Sequence, residues 1–347
     1  MDIVDKRRII EELAGEVGFD ACGVAPARRI DGDAGYRRWL ADHRHGTMSY
    51  LDRHRAQRGD ASVLLPGART VIVAALSYHQ PNGEPAASEN HRQDGGPCTS
   101  EKSPPPEGVA MYAWGDDYHR VVKDKLFALL DRMRARIDEP FDAKVGVDTV
   151  PIIEREYAMR AGLGWIGKNT LVLTQKLGSY FFLGEIVTTL PVALDAPATD
   201  HCGNCTRCLD ACPTDAFVAP YRMDASRCIS YLTIEHRTDD IEKDLGRNMG
   251  GWIFGCDVCQ QVCPFNRDAI PTHEPRFAPR GLRVDLDAIA TADDQTIRSL
   301  TRGSAMRRAK PDMLRRNARI ALSNRDRAPA PPSAACPPPG RSTGLDA

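Results

Sequence analysis

Residues 202–213 read CGNCTRCLDACP, and residues 256–264 read CDVCQQVCP. The first run spaces Cys202, Cys205, Cys208 and Cys212 as C-x2-C-x2-C-x3-C and ends on Pro213. The second places Cys256, Cys259 and Cys263 before Pro264, with Cys228 as its detached member. This is the bacterial ferredoxin pattern, in which three closely spaced thiolates on a tight loop reach three corners of one iron–sulfur cube. The fourth thiolate crosses to the other cube. The pseudo-symmetry gives one 4Fe–4S cluster to Cys202, Cys205, Cys208 and Cys263, and the other to Cys212, Cys228, Cys256 and Cys259. The terminal prolines keep the chain from crowding the fourth ligand. Paired Cys₄ zinc sites also use C-x2-C, but they need neither the third cysteine two residues on nor the Cys-Pro endings. Two such clusters conduct electrons and perform no chemistry of their own, so a redox centre that receives them is expected.

The rest of the chain is long enough to hold it. Its 347 residues correspond to two or three domains at about 150 residues each. A 42% hydrophobic share permits a buried core, and a net charge of -1 carries no global attraction to nucleic acid or membrane. Eight of the 11 cysteines fall between Cys202 and Cys263. The N-terminus, MDIVDKRRIIEELAGEVGF, has neither an apolar export segment nor twin arginines, and no apolar run is long enough to span a membrane. A cytoplasmic, membrane-free protein is expected, in which clustered cysteines bind metal and do not form disulfides.

Apolar spacing predicts an amphipathic helix from Lys6 to Phe19 and a longer one from Asp117, with buried strands at Ala21–Val24 and Thr70–Leu76. Lys144–Val150 reads as a strand, Pro151 as the turn into a helix near Ile153, and Ser179–Val192 as a hairpin or long strand. Strands and helices mix without a βαβ rhythm, so the expected class is α+β. The expected domains are 1–195, with a flexible insertion at 80–108; a ferredoxin-like two-cluster domain at 196–268; and a basic helical module at 285–326. A disordered Pro-rich tail follows at 327–347. Cys98 in the insertion and Cys336 in the tail read as bystanders.

Several stretches resemble the cobalamin-dependent epoxyqueuosine reductases of tRNA modification. They are VDTVPIIEREYAMRAGLGWIGKNTLVL (Val147–Leu173), GSYFFLGEI (Gly178–Ile186), the first cysteine run, RCISYLTIEHR (Arg227–Arg237) and GCDVCQQVCPFN (Gly255–Asn266). GSAMRRAKPDMLRRNARIALSN (Gly303–Asn324) matches more weakly. The resemblance implies cobalamin in the N-terminal α+β domain, electrons arriving from the nearer cluster, and reduction of the wobble-position epoxide to queuosine. Asp117-Tyr118-His119 is followed by Val122 where the D-x-H-x-x-G cobalamin motif has glycine, which agrees with a family whose cobalt that histidine does not ligate.

The resemblance makes Asp148, at the head of D-[ST]-x-P, the proton donor and a cofactor contact. Spacing alone reads the same residue as a helix N-cap before Pro151. Protonating the departing alkoxide at neutral pH requires a carboxyl whose pKa burial has raised. Further cofactor contacts implied by the resemblance are Arg58, Lys168, Asn169, Thr170, Gly178, Ser179 and Ser230, although Ala61 replaces the proline usual after Arg58. For any one glycine, ordinary loop geometry explains its presence as well.

Residues 298–327 hold ten basic and two acidic residues. A local patch of this kind suffices for phosphate contacts, though a solvated helical face has the same composition. Arg307, Arg308, Lys310, Arg315 and Arg316 are the expected tRNA contacts, on what the resemblance makes a short HEAT-like unit. Tyr231 and His236 are candidates for reading bases. The expected partners are queuosine-type tRNAs, engaged at the anticodon loop, and a low-potential donor such as ferredoxin or flavodoxin, with the chain acting as a monomer. The competing functions are a reductive dehalogenase-like cobalamin enzyme and a ferredoxin-like carrier. The absent export signal and the basic patch argue against the first, and some two hundred residues ahead of the clusters argue against the second.

Overall fold

A computed structural model of the chain describes residues 1–30, 32–81, 107–280 and 284–325. Most of the expected insertion, the tail, Cys98 and Cys336 lie outside the described residues. Helix α1 (Ile3–Val17) starts where the Asp2 carboxylate accepts from the amides of Val4 and Asp5, and buries Ile9, Ile10, Leu13 and Ala14. β1 (Ala21–Pro26), α2 (Asp33–Ala41), α3 (Arg55–Gly59) and β2 (Thr70–Ser77) follow. α4 (Tyr118–Arg136) begins at its Asp117 cap and buries Val121, Val122, Leu126, Leu129, Leu130 and Met133. Next come β3 (Ala143–Gly146), α5 (Glu154–Arg160), the short pair β4 (Trp165–Ile166) and β5 (Val172–Leu173), and β6 (Phe181–Thr188).

The main sheet runs β1-β2-β6-β3, antiparallel at every junction, so the class is α+β. Every residue of β2 is buried because both faces of the sheet are covered. Ile72, Ala74, Leu76, Phe182 and Ile186 share a core with α1 and α4. Val71, Val73, Ala75, Phe181 and Val187 share the other with Tyr157 and Ala158 of α5. Each buried Val, Leu, Ile or Phe among them stabilises the fold by about 1.5–3 kcal/mol. Helix α4 comes so near the sheet that a Cβ on Gly184 would stand 2.7 Å from Val122.

The segment expected as a hairpin or long strand, Ser179–Val192, holds the single strand Phe181–Thr188 and no hairpin, because β6 lies between β2 and β3 with both edges taken. The strand expected over Lys144–Val150 stops at Gly146, and two residues on the chain turns at Asp148 with φ 51°.

Beyond β6 lie α6 (Arg207–Asp210), the small hairpin β7 (Phe217–Ala219) and β8 (Arg222–Met223), α7 (Ile229–Ile234), α8 (Lys243–Asn248) and α9 (Val258–Gln261). The one-turn helices α6 and α9 carry Cys208 and Cys259 and pack against each other. Their turns repeat the same hydrogen bond: Leu209 N to Thr206 O and Gln260 N to Asp257 O, both 2.8 Å.

Helices α10 (Leu286–Thr291), α11 (Asp294–Leu300) and α12 (Pro311–Arg325) close the described chain. Asn317 ties α12 to the cysteine-rich half by donating to the carbonyls of Thr233 (2.9 Å) and Ile253 (2.8 Å). Among the described residues no helix is long and apolar enough to cross a membrane.

Candidate redox and active site

All eight cysteines of the two runs are partly buried free thiols. The Cys208 thiol is pushed up to about 11, first by burial and then by Cys263, Cys202 and Cys205 around it. Burial also pushes the Cys256 thiol up, with Cys228 and Cys212 among its neighbours. Cys202, Cys205, Cys208 and Cys263 line a small cavity together with Lys168, Asn169 and Phe265. Cys228, at the head of α7, accepts from the backbone amides of Ser230 and Tyr231.

The loops that surround this cage carry several of the expected cofactor contacts. Lys168 Nζ donates to the carbonyls of Gly203 (2.6 Å) and Cys205 (3.0 Å), so it braces the first cysteine loop. Thr170 Oγ1 reaches Met223 Sδ at 3.4 Å. Ser179 is buried, its hydroxyl donating to Gln260 Oε1 (2.8 Å) and its amide to Asn266 Oδ1 (2.6 Å). At Gly178, with φ 59°, a Cβ would lie 2.0 Å from Asn266 Oδ1. Lys168, Thr170, Gly178 and Ser179 were expected to hold the corrin. The side chains of Lys168, Thr170 and Ser179 each reach the cysteine-bearing half of the protein, and Gly178 packs against it.

Asp148 projects from the turn after β3. Its carboxylate accepts a hydrogen bond from the Tyr118 hydroxyl, and its own amide donates to Glu154 Oε1 at 2.5 Å. His119 Nε2 stands 3.9 Å from Asp148 Oδ2, while His119 Nδ1 lies 2.8 Å from Asp117 Oδ1. Asp148 caps no helix: α5 has Ile153 at its N-cap. Its side chain is 48% exposed, so the burial that the sequence argument required is absent at this residue. That burial falls on Glu185, which is fully enclosed, with the Glu154 carboxyl beside it and no fixed donor for either of its oxygens among the described residues. Desolvation, then the nearby Asp148 charge, raises the Glu185 pKa well above the ordinary range. Burial and the charge of Glu185 push its neighbour Glu154 the same way.

Two family descriptions match this chain. Residues 201–266 match the 4Fe-4S double cluster binding domain, and residues 58–149 match "Epoxyqueuosine reductase QueG, DUF1730". The epoxyqueuosine reductase of Xanthomonas campestris pv. campestris is 40% identical over 93% of this chain and 88% of its own. The chain belongs to the epoxyqueuosine reductase family. A crystal structure of epoxyqueuosine reductase with an epoxyqueuosine-modified tRNA-Tyr stem loop is similar at TM-score 0.77 and 29% identity, over 93% of this chain and 82% of that one. An epoxyqueuosine reductase from Bacillus subtilis, solved with its catalytic aspartate loop swung out of the active site, is similar at TM-score 0.77 and 28% identity with the same coverage.

For this epoxyqueuosine reductase family member, the arginine-rich segment needs a second correction. Arg316 is buried and donates to the carbonyls of Leu232, His236 and Thr238. Arg315 pairs with Asp294 and Asp312 and is only 18% exposed. Neither guanidinium is presented for phosphate. Arg307, Arg308 and Lys310 are exposed, with Arg308 paired to Glu235 at 2.9 Å and lying over the Tyr50 ring. Tyr231 is buried, and its hydroxyl accepts from the Thr47 amide, so it cannot stack on a base. Arg58 is half-buried, and its Nε has no hydrogen-bond partner among the described residues. Sequence reasoning missed Glu185 and Glu154. A lone acid inside the apolar run FFLGEIVTT was the available signal for Glu185.

Proposed function

We propose that this chain reduces the epoxide of epoxyqueuosine at the wobble position of a tRNA anticodon to queuosine, using cobalamin and two 4Fe–4S clusters. Family membership supports the reaction, and the observation that carries the residue assignment is the Tyr118–Asp148 hydrogen bond on an exposed turn. Eight soft thiols fit iron–sulfur clusters, and their neighbourhoods favour Cys202, Cys205, Cys208 and Cys263 for one and Cys212, Cys228, Cys256 and Cys259 for the other. The unpartnered Nε of Arg58 fits a polar group on the corrin rim, beside which Asp148 and Ser230 are the remaining contacts. When bound, cobalamin supplies a low-potential cobalt through which the substrate receives the electrons conducted by the clusters.

The reaction consumes two electrons and two protons, breaks both carbon–oxygen bonds of the epoxide, and yields an alkene and water. Once the bound stem loop covers its exposed turn and supplies the burial absent in the free protein, Asp148 hands a proton to the oxygen as it leaves carbon, so that no free alkoxide accumulates. Tyr118 orients that carboxyl and shares its proton through the hydrogen bond. Residues 1–195 form the catalytic unit and 196–268 the electron-conducting one. Residues 285–326 form a HEAT-like support whose exposed Arg307, Arg308 and Lys310 meet RNA phosphates. A ferredoxin or flavodoxin supplies the electrons.

The test is an anaerobic assay on an RNA stem loop bearing epoxyqueuosine, with protein loaded with about eight irons and a corrinoid. The nucleoside should lose one oxygen in mass, dependent on reductant. An unchanged nucleoside from fully loaded protein would refute the assignment.

A further inference from the structure

We propose that the side-chain amide of Asn169 donates a hydrogen bond to a sulfur of the cluster held by Cys202, Cys205, Cys208 and Cys263, and thereby raises that cluster's reduction potential. This rests on the two-cluster reading above and assigns Asn169 to iron and sulfur, away from the corrin.

Asn169 is 3% exposed and sits on the turn between β4 and β5. The turn is tight: the Thr170 amide donates to Gly167 O at 2.8 Å, and Thr170 itself has φ 65°. Asn169 Oδ1 accepts from the Leu171 amide at 3.2 Å. Only the oxygen end of a carboxamide can accept, so the orientation of the group is settled and Nδ2 is the opposite end. That nitrogen is buried and has no acceptor among the described residues.

Buried N–H groups without an acceptor are rare, and one in a native fold calls for a missing partner. Asn169 lines the same cavity as the four cysteines, together with Lys168 and Arg207. The preceding residue fixes the distance between turn and cage, because Lys168 Nζ is bound to the Gly203 and Cys205 carbonyls. The acceptor chemistry available there is sulfur, thiolate or sulfide. Such sulfurs gain negative charge when the cluster takes an electron. A fixed N–H dipole therefore stabilises the reduced state more than the oxidised one, and hydrogen bonds to the sulfurs are among the factors that set cluster potentials.

The test uses the reconstituted full chain and needs neither tRNA nor corrinoid. Asn169→Leu keeps the approximate shape and removes the donor. In an EPR-monitored redox titration one cluster should become harder to reduce by about tenfold, which is about 59 mV for a one-electron couple. The other cluster should titrate as before, with the iron content unchanged. A second measurement compares the parent with the conservative variant Asn169→Asp: with asparagine labelled by ¹⁵N in its side chain, pulsed EPR of the reduced cluster should show a ¹⁵N coupling in the parent that the variant lacks, which discounts Asn204 and Asn266 beside the cysteines and decides the matter even if the leucine variant loads iron poorly. Full iron content with both potentials unmoved would overturn the inference and leave the two-cluster reading intact. A ¹⁵N coupling found at cobalt in corrinoid-loaded protein, and absent at iron, would overturn it as well. Native protein that binds no iron would overturn both.

Discussion

The Tyr118 hydroxyl donates to Asp148 Oδ2 from a ring that lies flat on Phe182, with centroids 4.2 Å and planes 1° apart. Phe182 belongs to the central strand of the sheet, so the position of the acid is set by the core and not by its own turn. Asp148 holds a left-handed backbone conformation, which aspartate tolerates better than most residues but which still gains from support. The Tyr118 hydroxyl and Glu154 supply that support from two sides.

Tyr118→Phe should therefore lower kcat by about tenfold to a hundredfold while leaving KM for the stem loop and the iron content near normal. Asp148→Asn should cost more, about 10²–10⁴-fold. Single-turnover rates under anaerobic conditions measure both. A Tyr118→Phe enzyme with wild-type turnover would show that the hydroxyl plays no part in placing the acid.

The corrected arginines separate RNA contact from stability. Reversing the charge at Arg307 and Lys310 together should weaken stem-loop binding, with a shallower dependence on salt. Arg316→Ala should instead destabilise the fold, by about 1–3 kcal/mol for the carbonyls left without donors. Binding titrations at two salt concentrations, paired with urea unfolding, distinguish the two effects. Full stability in Arg316→Ala would mean that its buried hydrogen bonds contribute nothing.

Glu185 should make stability fall as the solution becomes more basic. Its folded pKa lies above the unfolded one, so the native state binds more protons. Stability is greatest below the unfolded value of about 4.3 and is lost as pH climbs toward the folded value. For one proton the slope cannot exceed about 1.4 kcal/mol per pH unit. Glu185→Gln should flatten this dependence, with the largest gain over the parent at the basic end. Urea midpoints measured across pH 6–9 provide the check, and parallel curves for the two proteins would count against a protonated Glu185.

Local chemistry was the part most legible in the sequence. The cysteine runs announce themselves because three ligands of a cube come from a few consecutive residues, and the helical stripes of α1 and α4 follow from a 3.6-residue period. The order of the main sheet was not legible. It depends on β6 finding β2 and β3 across long stretches of chain, and nothing local encodes that choice. Arg316 shows the same limit for charge. Counting residues sums a segment's charge, but one step along α12 decides whether a guanidinium meets two carboxylates or three carbonyls. Asp148 was visible only through resemblance, since its support comes from Tyr118, thirty residues earlier.

Asn317 of α12 supplies the donors for the Thr233 and Ile253 carbonyls, which lie near the two ends of the segment between Cys228 and Cys256. A fragment trimmed to the cysteine motifs would retain every sulfur and lose the clasp between them. Anyone excising this electron wire as a miniature ferredoxin must therefore bring the final helix along, or design a substitute for one asparagine.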